Sequence, residues 1–228
     1  VSRALAHVRE LRDRFVDGII EELITPLGNK FIEGYAEFIS PNSLRVGDLK
    51  IKADKIVIAT GSNPIIPDHW HQFDDHILTT DTIFEQSRLP IDMAVIGLGA
   101  VGLELGLALR RLGFNISGFD ELHTIGGLED PEVNQTVVET FGKDFPMYLG
   151  AGVEIEKQNH RLKIISEGTS IVVDKVLVSI GRIANIDGLH LERLGIDLDS
   201  RGIPPFDETE AFVDKVMNYY ASYRGKNR

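Results

Sequence analysis

The sequence predicts an α/β fold, and the features that predict it lie in residues 91–185. Met93 to Ile96 form a short apolar run of strand length that ends directly at a GxGxxG pattern. Leu103 to Leu112 have helical character, and residues 114–119 form a second candidate strand that is followed by Asp120. A strand, a tight glycine turn, a helix and a strand closed by an acid are the layout of a Rossmann-like dinucleotide-binding domain.

Each residue type in this layout has a physical role. Gly97 can adopt the backbone angles of the turn, Gly99 has no Cβ to keep a pyrophosphate away, and Gly102 lets the helix pack closely. The N–H groups and the positive end of that helix would hold the phosphates. The Asp120 carboxylate can accept hydrogen bonds from a ribose 2′-OH and would repel a 2′-phosphate, so NAD is favoured over NADP. The alternative is a glycine-rich turn without a ligand, which the surrounding elements disfavour.

The composition limits the classes of function. The 228 residues carry a formal net charge of −11, which argues against a nucleic-acid partner or an anionic membrane surface. These residues include no cysteine, so they hold no disulfide, thiolate metal site, cysteine nucleophile or redox-active dithiol. The first residues are charged and amphipathic rather than typical of a signal peptide, and we expect a cytoplasmic protein without a membrane span.

Residues 1–64 precede the glycine pattern and contain four candidate elements. Apolar residues at helical spacing predict a helix over 2–24. The composition of residues 30–40 predicts a strand, and alternation of apolar and polar residues predicts a hairpin over 44–52. Residues 55–59 (KIVIA) are more continuously apolar, which predicts a strand that is buried on both faces.

Residues 65–90 contain Pro67 and Pro90 and are predicted to form a surface linker. Histidines and carboxylates are frequent in part of this segment: His69, His71, Asp74, Asp75 and His76. Side chains of these types can bind Zn²⁺ or a similar ion. Their spacing matches no known ligand pattern, so we predict no metal site.

The rest of the chain contains a second helix, a small meander and a further strand. Asp130 and Pro131 predict the start of a helix that extends to residue 141. Three short candidate strands predict a small antiparallel β-meander, at roughly 152–156, 161–166 and 170–174. Residues 175–180 (KVLVSI) predict another apolar strand, and residues 207–228 predict a helical tail.

Three motifs follow one another along the chain. They are KIVIATGSNPIIP at 55–67, VIGLGAVGLELG at 95–106, and a stretch that begins DKVLVSIGRIAN and occupies 174–204. They resemble the ATG segment, the NAD-binding turn and the strand with its GRxPN segment in the flavin-dependent pyridine nucleotide disulfide oxidoreductases. The resemblance covers about residues 1–206 and is closest to the dihydrolipoyl dehydrogenase branch. Three motifs in the right order are more specific than any one alone.

The resemblance implies cofactor-binding roles for individual residues. They are Gly97, Leu98, Gly99, Ala100, Val101 and Gly102 at the pyrophosphate, Asp120 and Glu121 at the adenosine ribose, and Ile180 and Gly181 at the nicotinamide side. Glu104 matches a family glutamate near the nicotinamide, and the alternative is an acid that is simply favourable in the first helical turn. Thr60 and Gly61 would contact FAD, although a turn that ends a strand also accounts for both.

Departures from the family pattern restrict what this chain can do. Ala184 replaces the proline of GRxPN, and Gly118 occupies a strand position that is usually β-branched, which would loosen the strand. These 228 residues contain no N-terminal GxGxxG unit for FAD, no CxxxxC dithiol and no C-terminal interface domain. We therefore assign no catalytic residue in this chain.

The resemblance then implies the NAD-binding portion of a flavoprotein that, when complete, passes hydride between FAD and NAD. Five parts are expected: a partial FAD-domain segment (1–64), a linker (65–90), the NAD-binding domain (91–185), a return segment towards the FAD domain (186–206) and the tail (207–228). The expected partners are the dinucleotide, the rest of the flavoenzyme and a second copy in a homodimer.

Two alternatives stay open at this point. One is a stand-alone module that binds a nicotinamide dinucleotide without catalysis. Such a module would have a self-sufficient core around residues 1–60, whereas a portion of a flavoenzyme would leave an unmatched apolar surface there. The other alternative is a different member of the same family, an NADH oxidase or a transhydrogenase.

Overall fold

The structure, a computed structural model, describes residues 2–196 and 198, which divide into two compact units. The first unit comprises residues 2–31 and 62–182, and the second comprises 32–61, 183–196 and 198. The helices are α1 (Ser2–Ile19), α2 (Ala100–Arg111) and α3 (Pro131–Phe141). The strands are β1 (Ala36–Ser40), β2 (Ser43–Val46), β3 (Leu49–Lys52), β4 (Ser62–Pro64), β5 (Ile77–Leu78), β6 (Asp92–Ile96), β7 (Asn115–Asp120), β8 (Met147–Leu149), β9 (Glu154–Gln158), β10 (Arg161–Ser166), β11 (Thr169–Val173), β12 (Lys175–Val178) and β13 (Arg182–Ala184).

The first unit is built on a five-stranded parallel sheet with the strand order β5-β12-β6-β7-β8. Successive side chains of a strand point to opposite faces, so Met93 and Val95 join one hydrophobic core while Ala94 and Ile96 join another. All four side chains are buried, as expected for a parallel strand that is covered on both faces. The predicted α/β fold class is therefore confirmed.

The two faces of this sheet are covered by different elements. Helices α2 and α3 pack on one face, and the antiparallel sheet β11-β10-β9 packs on the other. This three-stranded sheet is the predicted meander, which is confirmed. Gly118 of β7 faces the helices, where an added Cβ would lie 2.9 Å from the side chains of Leu98 and Phe145. The expectation that Gly118 loosens the strand is therefore wrong, because the missing side chain makes room for these two.

An ionic contact joins the meander to the parallel sheet. One terminal guanidinium nitrogen of Arg161 in β10 lies 2.7 Å from Oδ2 of Asp92, which precedes the buried part of β6. The same terminal nitrogen also donates to Oδ2 of Asp174 at 3.3 Å, and the Nε lies 2.8 Å from Oδ1 of Asp174. Asn115 also donates to Asp92, at 2.8 Å. Because Arg161 lies between two carboxylates, it holds the two sheets together at the amino ends of the parallel strands.

The predicted helices agree with the structure. α1 continues as a π-helical turn over Ile20–Ile24, so the helix predicted over 2–24 is confirmed with a change of type in its last turn. α3 has the predicted bounds, and the Asp130 carboxylate caps it by accepting from the N–H groups of Glu132 and Val133 at 2.9 and 3.0 Å. Strand β8 was not predicted from the sequence.

Residues 65–90 are an integral part of the first unit, and their prediction as a surface linker is wrong. β5 pairs with β12 at one side of the parallel sheet. Trp70, Phe73 and Ile83 are buried in the two hydrophobic cores of the unit. A strand of only two residues is too short to give a periodic signal, and the prolines at either end of the segment concealed it.

The second unit contains a small antiparallel sheet of the order β1-β2-β3. The hairpin predicted over 44–52 is confirmed as β2 and β3, whereas the strand predicted over 30–40 is formed only from Ala36. Residues 55–59 form no strand, and Val57 is 88% exposed, so the prediction of a buried strand is wrong. A strand forms only where a neighbouring strand pairs with its backbone N–H and C=O groups. The described residues of this unit contain no strand that pairs with 55–59.

Three further outcomes concern the first residues, membrane-spanning helices and the tail. Residues 2–31 belong to the first unit, although the sequence grouped them with the rest of 1–64. No helix among residues 2–196 is long and apolar enough to cross a membrane. The helical tail predicted over 207–228 lies outside the described residues.

Candidate dinucleotide-binding site

A cavity of ≈560 Å³ lies at the carboxyl ends of the parallel strands of the first unit. β6 is between β12 and β7 in the sheet, so the turn after β6 is in the middle of this edge. The cavity is lined by parts of this turn, by Phe119 to Leu122 at the end of β7, by residues 151–153 and by Ser179 to Gly181 after β12. Residues 67, 69 and 70 complete the wall. Ligands of open parallel sheets bind at this edge.

The glycines of the turn have two different roles. Gly97 has φ of +90°, and an added Cβ would lie 2.5 Å from the carbonyl oxygen of Ser179. A Cβ at Gly102 would collide with the carbonyl oxygen of Gly97, so the turn and the helix approach more closely than any side chain permits. A Cβ at Gly99 would meet no atom within 4 Å. The structure therefore needs glycine at 97 and 102, whereas Gly99 keeps open a space that faces the cavity.

The amino end of α2 lies at this open space. Gly99 is the N-cap residue, and no side chain caps the helix. The first N–H groups of a helix have no intrahelical acceptor, and their partial positive charge attracts anions. The cavity and the uncapped helix end together offer a phosphate both space and donors.

Asp120 holds the glycine turn as well as lining the cavity. Its Oδ2 accepts from the N–H of Leu98 at 2.6 Å, and its Oδ1 accepts from the N–H of Leu122 at 2.9 Å. Each carboxylate oxygen keeps a second lone pair for a ribose hydroxyl. Glu121 is exposed at the cavity wall next to it. The ribose contact of Asp120 and Glu121 stays a prediction, and the anchoring of the turn is an additional role that the sequence did not reveal.

Ser179 is a residue of the site that sequence reasoning missed. Its Oγ donates to the carbonyl oxygen of Gly97 at 2.7 Å and lies 3.2 Å from that of Ile96. Its N–H donates to the same Ile96 oxygen at 2.8 Å. The hydroxyl therefore joins the end of β12 to the glycine turn across the sheet. The only sequence signal for Ser179 was its position between the apolar run KVLV and Ile180, which the resemblance places at the nicotinamide side.

The other predicted residues have different surroundings. Ile180 and Gly181 line the cavity, whereas Ala100 and Val101 are exposed on α2 and do not line it. Leu98 is fully buried beneath the turn, where its backbone rather than its side chain faces Asp120. The nicotinamide and pyrophosphate contacts of these residues stay predictions.

Glu104 is exposed on α2 and does not line the cavity. The first turn of α2 contains no acid, so the alternative explanation of Glu104 as a first-turn acid is wrong. Thr60 and Gly61 belong to the second unit, where their carbonyl oxygens accept from the side chain and the N–H of Asn185 at 3.2 and 3.0 Å. Their contact with FAD stays a prediction.

The charge of the cavity wall is acidic. Among the residues that the structure describes, its lining contains Asp120 and Glu121 but no lysine or arginine, and His69 is its only histidine. A 2′-phosphate needs a cationic partner, so this wall suits an unphosphorylated ribose. Among residues 2–196, no group of three or more histidines and carboxylates lies close enough to hold a metal ion, and the histidines of 69–76 form no such group.

Comparisons with known proteins show the family of the chain. The family described as pyridine nucleotide-disulphide oxidoreductase matches residues 3–217. A dihydrolipoyl dehydrogenase from Chlamydia muridarum is 31% identical over 97% of the chain and 48% of its own length. A mercuric reductase from Staphylococcus aureus is 28% identical over 87% of the chain and 38% of its own length. The chain thus spans about half the length of these relatives or less.

A solved structure has a similar fold. The Cu(II) complex of the HOCl-induced flavoprotein disulfide reductase RclA from Escherichia coli superimposes with a TM-score of 0.80 at 24% identity. The match covers 91% of this chain and 48% of that one. At this level of identity the similarity shows the fold alone.

Proposed function

The chain belongs to the pyridine nucleotide-disulphide oxidoreductase family, and on this basis we propose that it is the NAD-binding portion of a dihydrolipoyl dehydrogenase-like flavoprotein. The observation that carries the proposal is the cavity at the glycine turn, where Gly99 leaves open space beside an uncapped helix end. An acidic wall next to it supports NAD rather than NADP.

The residues of the cavity would bind and orient the dinucleotide. The N–H groups at the start of α2 would hold the pyrophosphate, Asp120 and Glu121 the adenosine ribose, and the Ile180–Gly181 wall the nicotinamide side. The flavin of the complete protein would exchange a hydride with the nicotinamide, so the cofactors carry the redox chemistry. The chain itself would supply affinity, orientation and a site shielded by the wall around Trp70 and Ile96.

Exposed apolar side chains support a portion of a larger flavoenzyme over a stand-alone module. Large hydrophobic residues of α1 are exposed, with Phe15 at 73%. In the second unit Tyr35 is 99% and Val57 88% exposed, and the apolar segment 55–59 has no strand partner among the described residues of that unit. A self-sufficient core around residues 1–60 would bury such side chains. We propose that the rest of the flavoenzyme, with its FAD, covers these surfaces.

A visible absorption spectrum of the purified chain, taken with and without NADH in the absence of oxygen, tests the proposal together with an NADH titration. We expect a colourless protein that binds NADH, and a flavin band that NADH bleaches once the missing half of the flavoenzyme is supplied by co-expression. A chain that does not bind NADH under either condition would contradict the proposal. A monomer that gains no flavin on co-expression would favour the stand-alone module.

A further inference from the structure

Three segments of the first unit that are distant in sequence meet at the guanidinium of Arg182. Its Nε donates to Oγ of Ser62 at 2.8 Å, and one terminal nitrogen donates to the carbonyl oxygen of Ser62 at 2.5 Å. The other terminal nitrogen donates to Oγ1 of Thr80 at 2.9 Å and to Oδ1 of Asp81 at 3.1 Å. Because the guanidinium is planar and rigid, these four contacts fix the backbone at residue 182 to both partner segments.

The segment fixed in this way is the end of a cavity wall. Arg182 directly follows Ile180 and Gly181, which line the cavity, whereas Arg182 itself does not. The Gly181 carbonyl oxygen accepts from the N–H of Ile65 at 3.0 Å. At the other end of the wall Ser179 is bonded to the glycine turn through its Oγ. The wall is therefore held at both ends by hydrogen bonds.

The strand order determines which half of a dinucleotide this wall would meet. β6 pairs with β12 on one side and with β7 on the other. A dinucleotide with its pyrophosphate at the turn after β6 and its adenosine ribose at Asp120, the last residue of β7, must extend its second nucleoside towards the end of β12. Ile180 and Gly181 are at that end. This step rests on the proposed function.

We propose that Arg182 is a positioning residue for the nicotinamide half of the bound dinucleotide. It acts by fixing the Ile180–Gly181 wall to Ser62, Thr80 and Asp81. The adenosine half lies on the far side of the glycine turn and depends on Asp120 instead. Loss of Arg182 therefore weakens the contacts of one half of the ligand and leaves those of the other half unchanged.

Parallel titrations with NADH and ADP-ribose separate the two halves, because ADP-ribose lacks the nicotinamide. We expect Arg182→Met in the full 228-residue chain to raise the Kd for NADH by roughly tenfold and to leave the Kd for ADP-ribose unchanged. Arg182→Lys keeps the charge beside Asp81 but not the planar fork, so we expect an intermediate Kd for NADH. The fluorescence of bound NADH should shift towards that of free NADH in both variants. Arg111→Met, at an exposed arginine that ends α2, is the matched control and should change neither Kd.

Other outcomes would overturn the proposal. An equal loss of affinity for both ligands would mean that Arg182 only stabilises the fold, and unchanged NADH binding would mean that the wall needs no such anchor. If the Arg182→Met variant does not fold, Ser62→Ala and Asp81→Asn test the proposal in its place. Each is expected to weaken NADH binding selectively, to a smaller extent than Arg182→Met. A wild-type chain that binds neither ligand would instead contradict the proposed dinucleotide site itself.

Discussion

Replacing Gly99 with valine is expected to remove dinucleotide binding and to leave the fold intact. Gly99 has φ of −59° and ψ of −177°, which a valine adopts without strain. An added Cβ meets no protein atom within 4 Å, so no clash arises in the free protein. Valine is a poorer N-cap than glycine, and we expect the free energy of unfolding to fall by less than about 1 kcal/mol.

The effect on binding follows from the same open space. The valine side chain would project into the part of the cavity beside the amino end of α2, where it would keep a pyrophosphate away from the backbone N–H groups. Hydrogen bonds to a charged group contribute about 1.5–3 kcal/mol each. Loss of two such bonds would raise the Kd for NADH by about 100-fold or more.

A fluorescence titration with NADH measures this loss, and thermal unfolding measures the stability of the same sample. Gly102→Ala is the matched control, since it adds a Cβ that collides with the carbonyl oxygen of Gly97 and lies 2.5 Å from Oγ of Ser179. We expect this control to lower the free energy of unfolding by about 1–3 kcal/mol as well as to weaken binding. Wild-type affinity for NADH in Gly99→Val would refute the assignment of the phosphate site.

Three further predictions concern charged residues. Asp120→Arg should weaken NADH binding about tenfold and improve NADPH binding, because a carboxylate that repels the 2′-phosphate is replaced by a cation that binds it. Parallel titrations that show both affinities unchanged would mean that Asp120 does not contact the ribose. Arg161→Met should lower the free energy of unfolding by about 1–2 kcal/mol in a denaturant titration, because Asp92 and Asp174 lose the cation between them. The hydrogen bond from Asn115, and then that from Arg161, lowers the pKa of Asp92, so its contribution to stability is complete above the ordinary aspartate pKa and disappears as the pH falls through the lowered value. Unfolding measured from pH 6 to pH 2 should therefore show a smaller loss of stability in Asp92→Asn than in the wild type.

The sequence by itself determined the elements whose signals are local. Three glycines within six residues mark the glycine turn, and Asp130 with Pro131 marks the start of α3. Alternating apolar and polar residues on short strands mark the meander. Each of these signals depends on backbone geometry or on near neighbours in the chain. The edge of the sheet that holds the cavity follows from them as well, because the turn after β6 marks it.

The tertiary structure alone decided the features that depend on distant partners. Residues 55–59 have the composition of a buried strand, but a strand forms only where neighbouring strands accept its hydrogen bonds, and the second unit offers none among its described residues. Residues 65–90 contain prolines, yet the pairing of β5 with β12 places their apolar side chains in the core. Ser179 and Arg182 contact residues 82 to 120 positions away, and no local pattern encodes such a contact. These long-range contacts shape the wall of the site, which the glycine turn by itself does not specify.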